Sequence, residues 1–183
     1  MSVNRERMKA QLVLHEGLRL YPYRCTANKL TLGVGYNGQD RGWEDFELAI
    51  GRPLNRALLR QAEKTREKVI TRVEAFKVLD VDIERYEAAV RRTWPAYDRL
   101  PEVRQRVVLD MAFNMGYRLR AFKNTQAAAE RAIKTGDWTP VAANMMASLW
   151  SRQVGDGVGG LYDRAERLKD MILTGRDYES VAA

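Results

Sequence analysis

The stretch LHEGLRLYPYRCTANKLTLGVGY, Leu14–Tyr36, decides how the chain is read. Up to Glu16 the spacing is helical, with Met8 and Leu12 on one face, and Gly17 is a natural helix stop. Beyond it the pattern changes to two short β-rich runs, LRLYPY and KLTLGVGY, separated by CTAN, a segment with turn chemistry. The stretch therefore predicts a helix over about residues 3–16 that leads into a small antiparallel hairpin or three-strand sheet.

Further along, NGQDRGWEDF reads as a loop and LNRALLRQAEKTREKV as a polar, exposed helix. Thr71 followed three residues later by Glu74 makes a capping box, and the helix it opens runs to the neighbourhood of Pro95. A second helix is predicted from about Pro101, through VRQRVVLDMAFNMG, to Gly116. Others are predicted over Asn124–Thr135, Thr139–Trp150 and Leu161–Leu173, each closed by glycine or a Gly-rich loop, the last at Thr174-Gly175. The outline is α+β, mainly α, in a single domain. Residues 1–70 form a small hairpin lobe, 71–95 a bridging helix and 96–183 a larger helical lobe.

Composition narrows the function classes. The chain has 183 residues, 45% apolar and 30% charged, an ordinary globular balance with enough apolar side chains for a sizeable core. No apolar run approaches the roughly 18 residues a membrane helix needs. The N-terminal segment lacks the apolar core of a signal peptide, so synthesis in a cytoplasm is expected. Cys25 is the only cysteine and cannot form an internal disulfide, which suits a reducing compartment. With His15 the only histidine, no metal-ligand cluster exists, and no metal or cofactor is expected. His15 adjoins Glu16, but neighbouring helix positions point about 100° apart, and it is given no role. The net charge of +7 favours a polyanionic partner (nucleic acid, a membrane surface or a bacterial wall) or serves solubility alone. The arginines are scattered over many predicted helices, which ranks a nucleic-acid binder last.

Two segments match G-x-G-x-x-G: GVGYNG (Gly33, Gly35, Gly38) and GDGVGG (Gly155, Gly157, Gly160). Neither sits in a strand-to-helix βαβ unit, so hairpin glycines and an interhelical loop are the expectation.

Glu16, Cys25 and Thr31 place a carboxyl at a helix end, and a thiol and a hydroxyl on the adjacent sheet. The helix C-terminus disfavours an ionised carboxylate, and a carboxyl that stays protonated is what a general acid for glycoside cleavage requires. Thr31 and Cys25 suit the holding of a water. Taken alone, the same residues read equally well as a helix end, strand propensity and a small buried side chain.

The pattern Glu, eight residues, Cys, five residues, Thr and then LGVG resembles the signature of the phage-type lysozymes, the endolysins of glycoside hydrolase family 24. AFNMG (Ala112–Gly116), FKNT (Phe122–Thr125), SLWSRQ and LYDRAERLKDMILTG extend the likeness in the same order over most of the chain, with an unexplained insert at about Asn37–Lys68. The resemblance implies a lysozyme-like two-lobe fold whose catalytic residues, Glu16, Cys25 and Thr31, face one cleft. It also implies a muramidase cutting the β-1,4 bond between N-acetylmuramic acid and N-acetylglucosamine. Glu16 would be the acid, Thr31 and Cys25 would hold a water for an inverting attack, with Cys25 either its base or only a positioning group, and Arg164 would pair with and orient Glu16. Gly35, Phe113, Asn114, Phe122, Asn124 and Arg164 are the implied substrate-binding positions, with Phe113 and Phe122 equally readable as core.

The implied partner is the glycan strand of peptidoglycan, bound by a monomer with no nucleic acid and no stable membrane insertion. Release through a pore at lysis or delivery by a virion would bring the protein to the wall. Two departures stand out. Tyr36 occupies the place where some relatives carry histidine, so an ion pair is expected to be missing there, and VGDGVGG lengthens the loop before Arg164. A free thiol titrates near ~8.5, so Cys25 removes the water's proton only where Arg164 or other nearby cations lower it, and otherwise helps to position the water. A lytic transglycosylase of similar fold and a catalytically silent wall-binding domain are the rival readings.

Overall fold

The computed structural model describes residues 3–154 and 164–177. Its elements are α1 (Arg5–Glu16), β1 (Arg19–Arg24), β2 (Leu30–Gly33), β3 (Tyr36–Asn37), α2 (Gly38–Arg41), α3 (Glu44–Ile50) and α4 (Arg56–Thr65). They continue with α5 (Arg72–Thr93), α6 (Glu102–Met115), α7 (Lys123–Thr135), α8 (Thr139–Met146), α9 (Leu149–Gln153) and α10 (Arg164–Thr174). The fold class is α+β, mainly α, with one antiparallel sheet in the order β1-β2-β3. Among the described residues no helix is long and apolar enough to cross a membrane. The chain divides into two compact units, Arg5–Arg85 and a second built from Tyr86 onward, which also takes in the segment ending at Asn4. The division falls inside α5.

In the first unit the segment between Asn37 and Lys68 supplies the core. Trp43, Phe46, Ile50, Leu54 and Leu59 bury against Leu32 and Tyr36 of the sheet and against Ile70, Ala75 and Val78. The loop expected at NGQDRGWEDF is instead α2 and α3. Asn37 caps α2 by accepting from the Asp40 N–H (3.1 Å), and Trp43 and Phe46 turn inward. The polar helix is α4, capped by Asn55 and buried only at Leu59 and Ala62. The capping box at the head of α5 forms as read. The Thr71 N–H donates to Glu74 Oε2 (2.7 Å) and the Glu74 N–H to Thr71 Oγ1 (3.1 Å). α1 is tied to α5 by Lys9–Asp80 (3.0 Å).

In the second unit α6 is the central helix, buried at every position from Arg104 to Ala112. A helix buried all round is one enclosed by others, here α10 and the two short 3-10 segments at its ends. The predicted helix Thr139–Trp150 is two helices. α8 closes at Ala147, without glycine, and Ser148 in extended conformation (ψ 158°) caps α9 through the Ser151 N–H (3.4 Å). Arg104 donates to Ile172 O (2.9 Å) at the C-terminal end of α10, where a cation complements the helix dipole, and lies 4.0 Å over the Trp138 ring. The predicted start of the last helix at Leu161, and GDGVGG, fall outside the described residues.

Candidate active site

Glu16 is the last residue of α1, and Gly17 (φ +76°) turns the chain into β1. β2 and β3 meet in a tight turn through Gly33, Val34 and Gly35, the two glycines at φ +68° and +69°. A Cβ on Gly35 would lie 3.1 Å from Glu16 Oε2, so the hairpin backbone packs directly on the acid's side chain. Gly38 has a different reason: a Cβ there would fall 2.2 Å from the Trp43 ring. The glycines of GVGYNG thus serve a turn, contact with Glu16 and aromatic packing.

The β1–β2 turn positions the thiol. The Asn28 N–H donates to Cys25 O (2.8 Å) and the Cys25 N–H to Lys29 O (3.1 Å), with Asn28 left-handed at φ +57°. This is a turn followed by a single bulge residue, a common way to close a short hairpin. Arg24 braces it, donating to Asn28 O (3.2 Å), Gln39 Oε1 (3.2 Å) and Glu63 Oε1 (2.6 Å). Burial pushes the Cys25 thiol up, but the N–H groups of Lys29 and Ala27 and the Thr31 hydroxyl more than offset it, leaving the thiol below its ordinary value. The lowering thus comes chiefly from hydrogen bonds within the turn. Thr31 is buried, 2% exposed, and its hydroxyl donates to Lys29 O (3.0 Å).

Tyr23, which the sequence reading passed over, pairs across the sheet with Thr31 and carries the Arg19 guanidinium 4.3 Å from its ring centroid. Burial raises its phenol to about 12, the negative charge of Glu16 adds to that, Arg19 opposes it and Cys25 contributes further. Tyr23 therefore lies within electrostatic reach of both Glu16 and Cys25. An aromatic residue in a strand carries no signal beyond β-propensity, so nothing in the sequence marked it.

Beside Tyr36 lies an ion pair of other residues. Asp82, 1% exposed, accepts from Arg41 at 2.6 and 2.9 Å, and Arg41 stacks 4.0 Å over the Tyr36 ring. Tyr36 donates its hydroxyl to Gly42 O (3.0 Å).

The other predicted positions lie in the second unit. Asn114, exposed near the end of α6, accepts from Trp150 Nε1 (3.1 Å), and Phe122 meets the Trp150 ring edge-on with centroids 6.4 Å apart. Trp150, unmarked in the sequence reading, thus joins Asn114 to Phe122. Phe113 is half-buried and packs on Tyr86 at 5.0 Å, and Asn124 is exposed in the first turn of α7. Arg164, 5% exposed, donates to the fully buried Asp110 through Nε (2.7 Å) and to its carbonyl through Nη2 (3.2 Å). Asp110 was also missed, though a lone acid within VVLDMAF was a usable signal. Among the described residues no group of three His, Cys, Asp or Glu side chains is arranged to hold a metal.

A helix-terminal carboxyl against a glycine hairpin, facing a sheet that carries a depressed thiol and a buried hydroxyl, has the makings of a hydrolase site built on acid and water chemistry. The phage lysozyme family model matches residues 13–167, and the chain belongs to that family. It is accordingly a peptidoglycan-lysing hydrolase of the lysozyme and endolysin type.

Proposed function

We propose that the protein is a muramidase that hydrolyses the β-1,4 bond between N-acetylmuramic acid and N-acetylglucosamine with inversion. The observation that carries the reading is the packing of Glu16 on Gly35, in the β2–β3 turn of the same three-strand sheet whose β1–β2 turn sets the Cys25 thiol beside Thr31. Glu16 protonates the leaving glycosidic oxygen. Thr31 and Cys25 hold a water on the opposite face, and the thiolate draws off its proton as the water attacks the anomeric carbon. Water lodged between acid and base suits inversion, for which the gap is typically ~6.5–9.5 Å. Arg164, held by Asp110, and Asn114, Phe122, Phe113 and Asn124 are the assigned substrate-binding residues, suited to sugar rings and N-acetyl groups. The protein works as a monomer on glycan strands, is made in the host cytoplasm, and reaches the wall through a pore or with a virion.

The test compares the protein with Glu16→Gln on purified sacculi, with analysis of the sugar ends and their anomeric configuration. Reducing N-acetylmuramic ends of inverted configuration from the parent, and none from the variant, are expected. Anhydro ends would move the assignment to a transglycosylase. Binding without products from either protein would make it a silent wall-binding domain.

A further inference from the structure

The hydroxyl of Thr31 has one proton, and it is already committed. It goes to Lys29 O (3.0 Å), and when Cys25 is ionised it goes to the sulfur. In neither state does Thr31 have a donor left for a water, to which it offers only lone pairs. A water lodged at Thr31 and Cys25 can give its two protons to Thr31 Oγ1 and to the thiolate. Nothing in the assigned set then fixes its remaining lone pairs, one of which must point at the anomeric carbon.

Tyr23 stands opposite Thr31 in the β1–β2 register, so the pleat turns those two to one face, and the Thr31 hydroxyl reaches Cys25 in the turn beyond β1. Among the described residues its hydroxyl makes no hydrogen bond, although the ring is half-buried and pinned under Arg19 at 4.3 Å. The charged groups that face it are Glu16 at the end of α1, Arg19 on its own strand and Cys25 in the turn. The phenol is therefore within electrostatic reach of both the acid and the base.

We infer that Tyr23 is a further catalytic residue, whose hydroxyl donates to the attacking water and leaves one lone pair of that water free for the sugar. This rests on the muramidase reading above. The phenol is suited to the task because it stays protonated: burial, the largest cause, holds it well above the range in which a wall hydrolase works. It gives no proton away in the reaction. The water's proton passes to the Cys25 thiolate, and the proton of Glu16 leaves with the departing sugar.

The test is Tyr23→Phe, which keeps the ring and its cation, with Tyr21→Phe on the same strand as control and thermal unfolding of each. Turnover on solubilised glycan strands is expected to fall about ten-fold, the worth of one hydrogen bond in the transition state, with KM and melting temperature near those of the parent. The control keeps the parent rate. A rise in KM alone would make the hydroxyl a sugar contact and overturn the assignment to water, and so would parent turnover in Tyr23→Phe. A drop shared equally by Tyr21→Phe, or one that follows a lowered melting temperature, would reduce Tyr23 to a packing role. Glu16→Gln is run in parallel. If it retains the parent's activity the muramidase reading falls, and this inference with it. If it is dead while Tyr23→Phe is unimpaired, the inference alone falls.

Discussion

Replacing Glu74 by glutamine tests whether the capping box at the head of α5 holds the first unit together electrostatically. Glu74 accepts from the Thr71 N–H (2.7 Å), the Thr71 hydroxyl (3.1 Å) and Arg52 at 2.6 and 3.2 Å, and Arg52 also ties down Val69 O (3.0 Å). The Arg52 guanidinium, and after it the Thr71 groups, outweigh burial and hold the carboxyl at about 2, against an ordinary 4.5. At about 1.36 kcal/mol per unit this sets a ceiling near ~3.4 kcal/mol. Arg52 is 44% exposed, so solvent screening brings the expected contribution to about 1–2 kcal/mol.

A carboxyl whose folded value is depressed stabilises above its unfolded value, and the benefit is lost as pH falls toward the folded one. The parent should therefore exceed Glu74→Gln in stability by about 1–2 kcal/mol near neutrality, a melting difference of about 2–8 °C. The gap should begin to close below an ordinary 4.5 and vanish by about 2. Urea unfolding followed by circular dichroism, on both proteins across that range, measures it. A gap that is absent at neutral pH, or equally wide in acid, would refute the reasoning.

Arg41→Met leaves the buried Asp82 carboxylate without its bidentate partner and should cost about 3–5 kcal/mol in urea unfolding, whereas Arg41→Met with Asp82→Leu should recover most of that loss. Gly35→Ala should cost about 1–2 kcal/mol, because position 35 is left-handed. It should lower lysis more than that loss explains, because the new methyl presses on Glu16 at 3.1 Å, and comparing lysis rates at temperatures where both proteins are folded separates the two effects. Cys25→Ser removes the ionising group, so the pH–rate profile should lose the rise that begins below the ordinary thiol range, with turnover down about a hundred-fold.

The long elements were legible because their signals are strong and local. The Thr71–Glu74 box, Pro95 beyond α5 and Gly116 after α6 mark boundaries by chemistry that does not depend on what packs nearby. The segment after Asn37 was misread because α2 has four residues and α3 seven, too few for a helical period to emerge from a run rich in Asn, Gly and Asp. Its Trp43 and Phe46 gain meaning only once the sheet gives them a surface to bury. Ser148 looked like a helix interior because the residues on both sides are apolar, yet its hydroxyl donates to Met145 O (2.6 Å) and turns the chain. At the candidate site, Glu16, Cys25 and Thr31 were singled out by the family resemblance that their spacing carries, since the spacing alone reads equally as a helix end and a hairpin. The contact of Gly35 with Glu16, the link from Trp150 to Asn114 and the face shared by Tyr23 and Thr31 arise from tertiary approach and strand register, which spacing does not encode.

The turn also accounts for how the thiol is depressed mainly by hydrogen bonds within the hairpin. Lys29 O accepts both from the Cys25 N–H (3.1 Å) and from Thr31 Oγ1 (3.0 Å), and a carbonyl has two lone pairs to receive them. When Cys25 ionises, the Thr31 proton can swing to the sulfur without stranding that carbonyl, because the Cys25 N–H still satisfies it. The rearrangement is one hydroxyl rotation in a buried pocket, and the backbone N–H groups of Ala27 and Lys29 are already aimed at the sulfur. Their dipoles are fixed by the hairpin, so stabilising the thiolate needs little reorganisation at the moment the water loses its proton. Such an arrangement makes the base depend on the turn geometry that Asn28 allows, φ +57°, and on the Arg24 brace behind it, more than on net charge. The positive charge of the chain is then left to act at longer range, on the anionic wall.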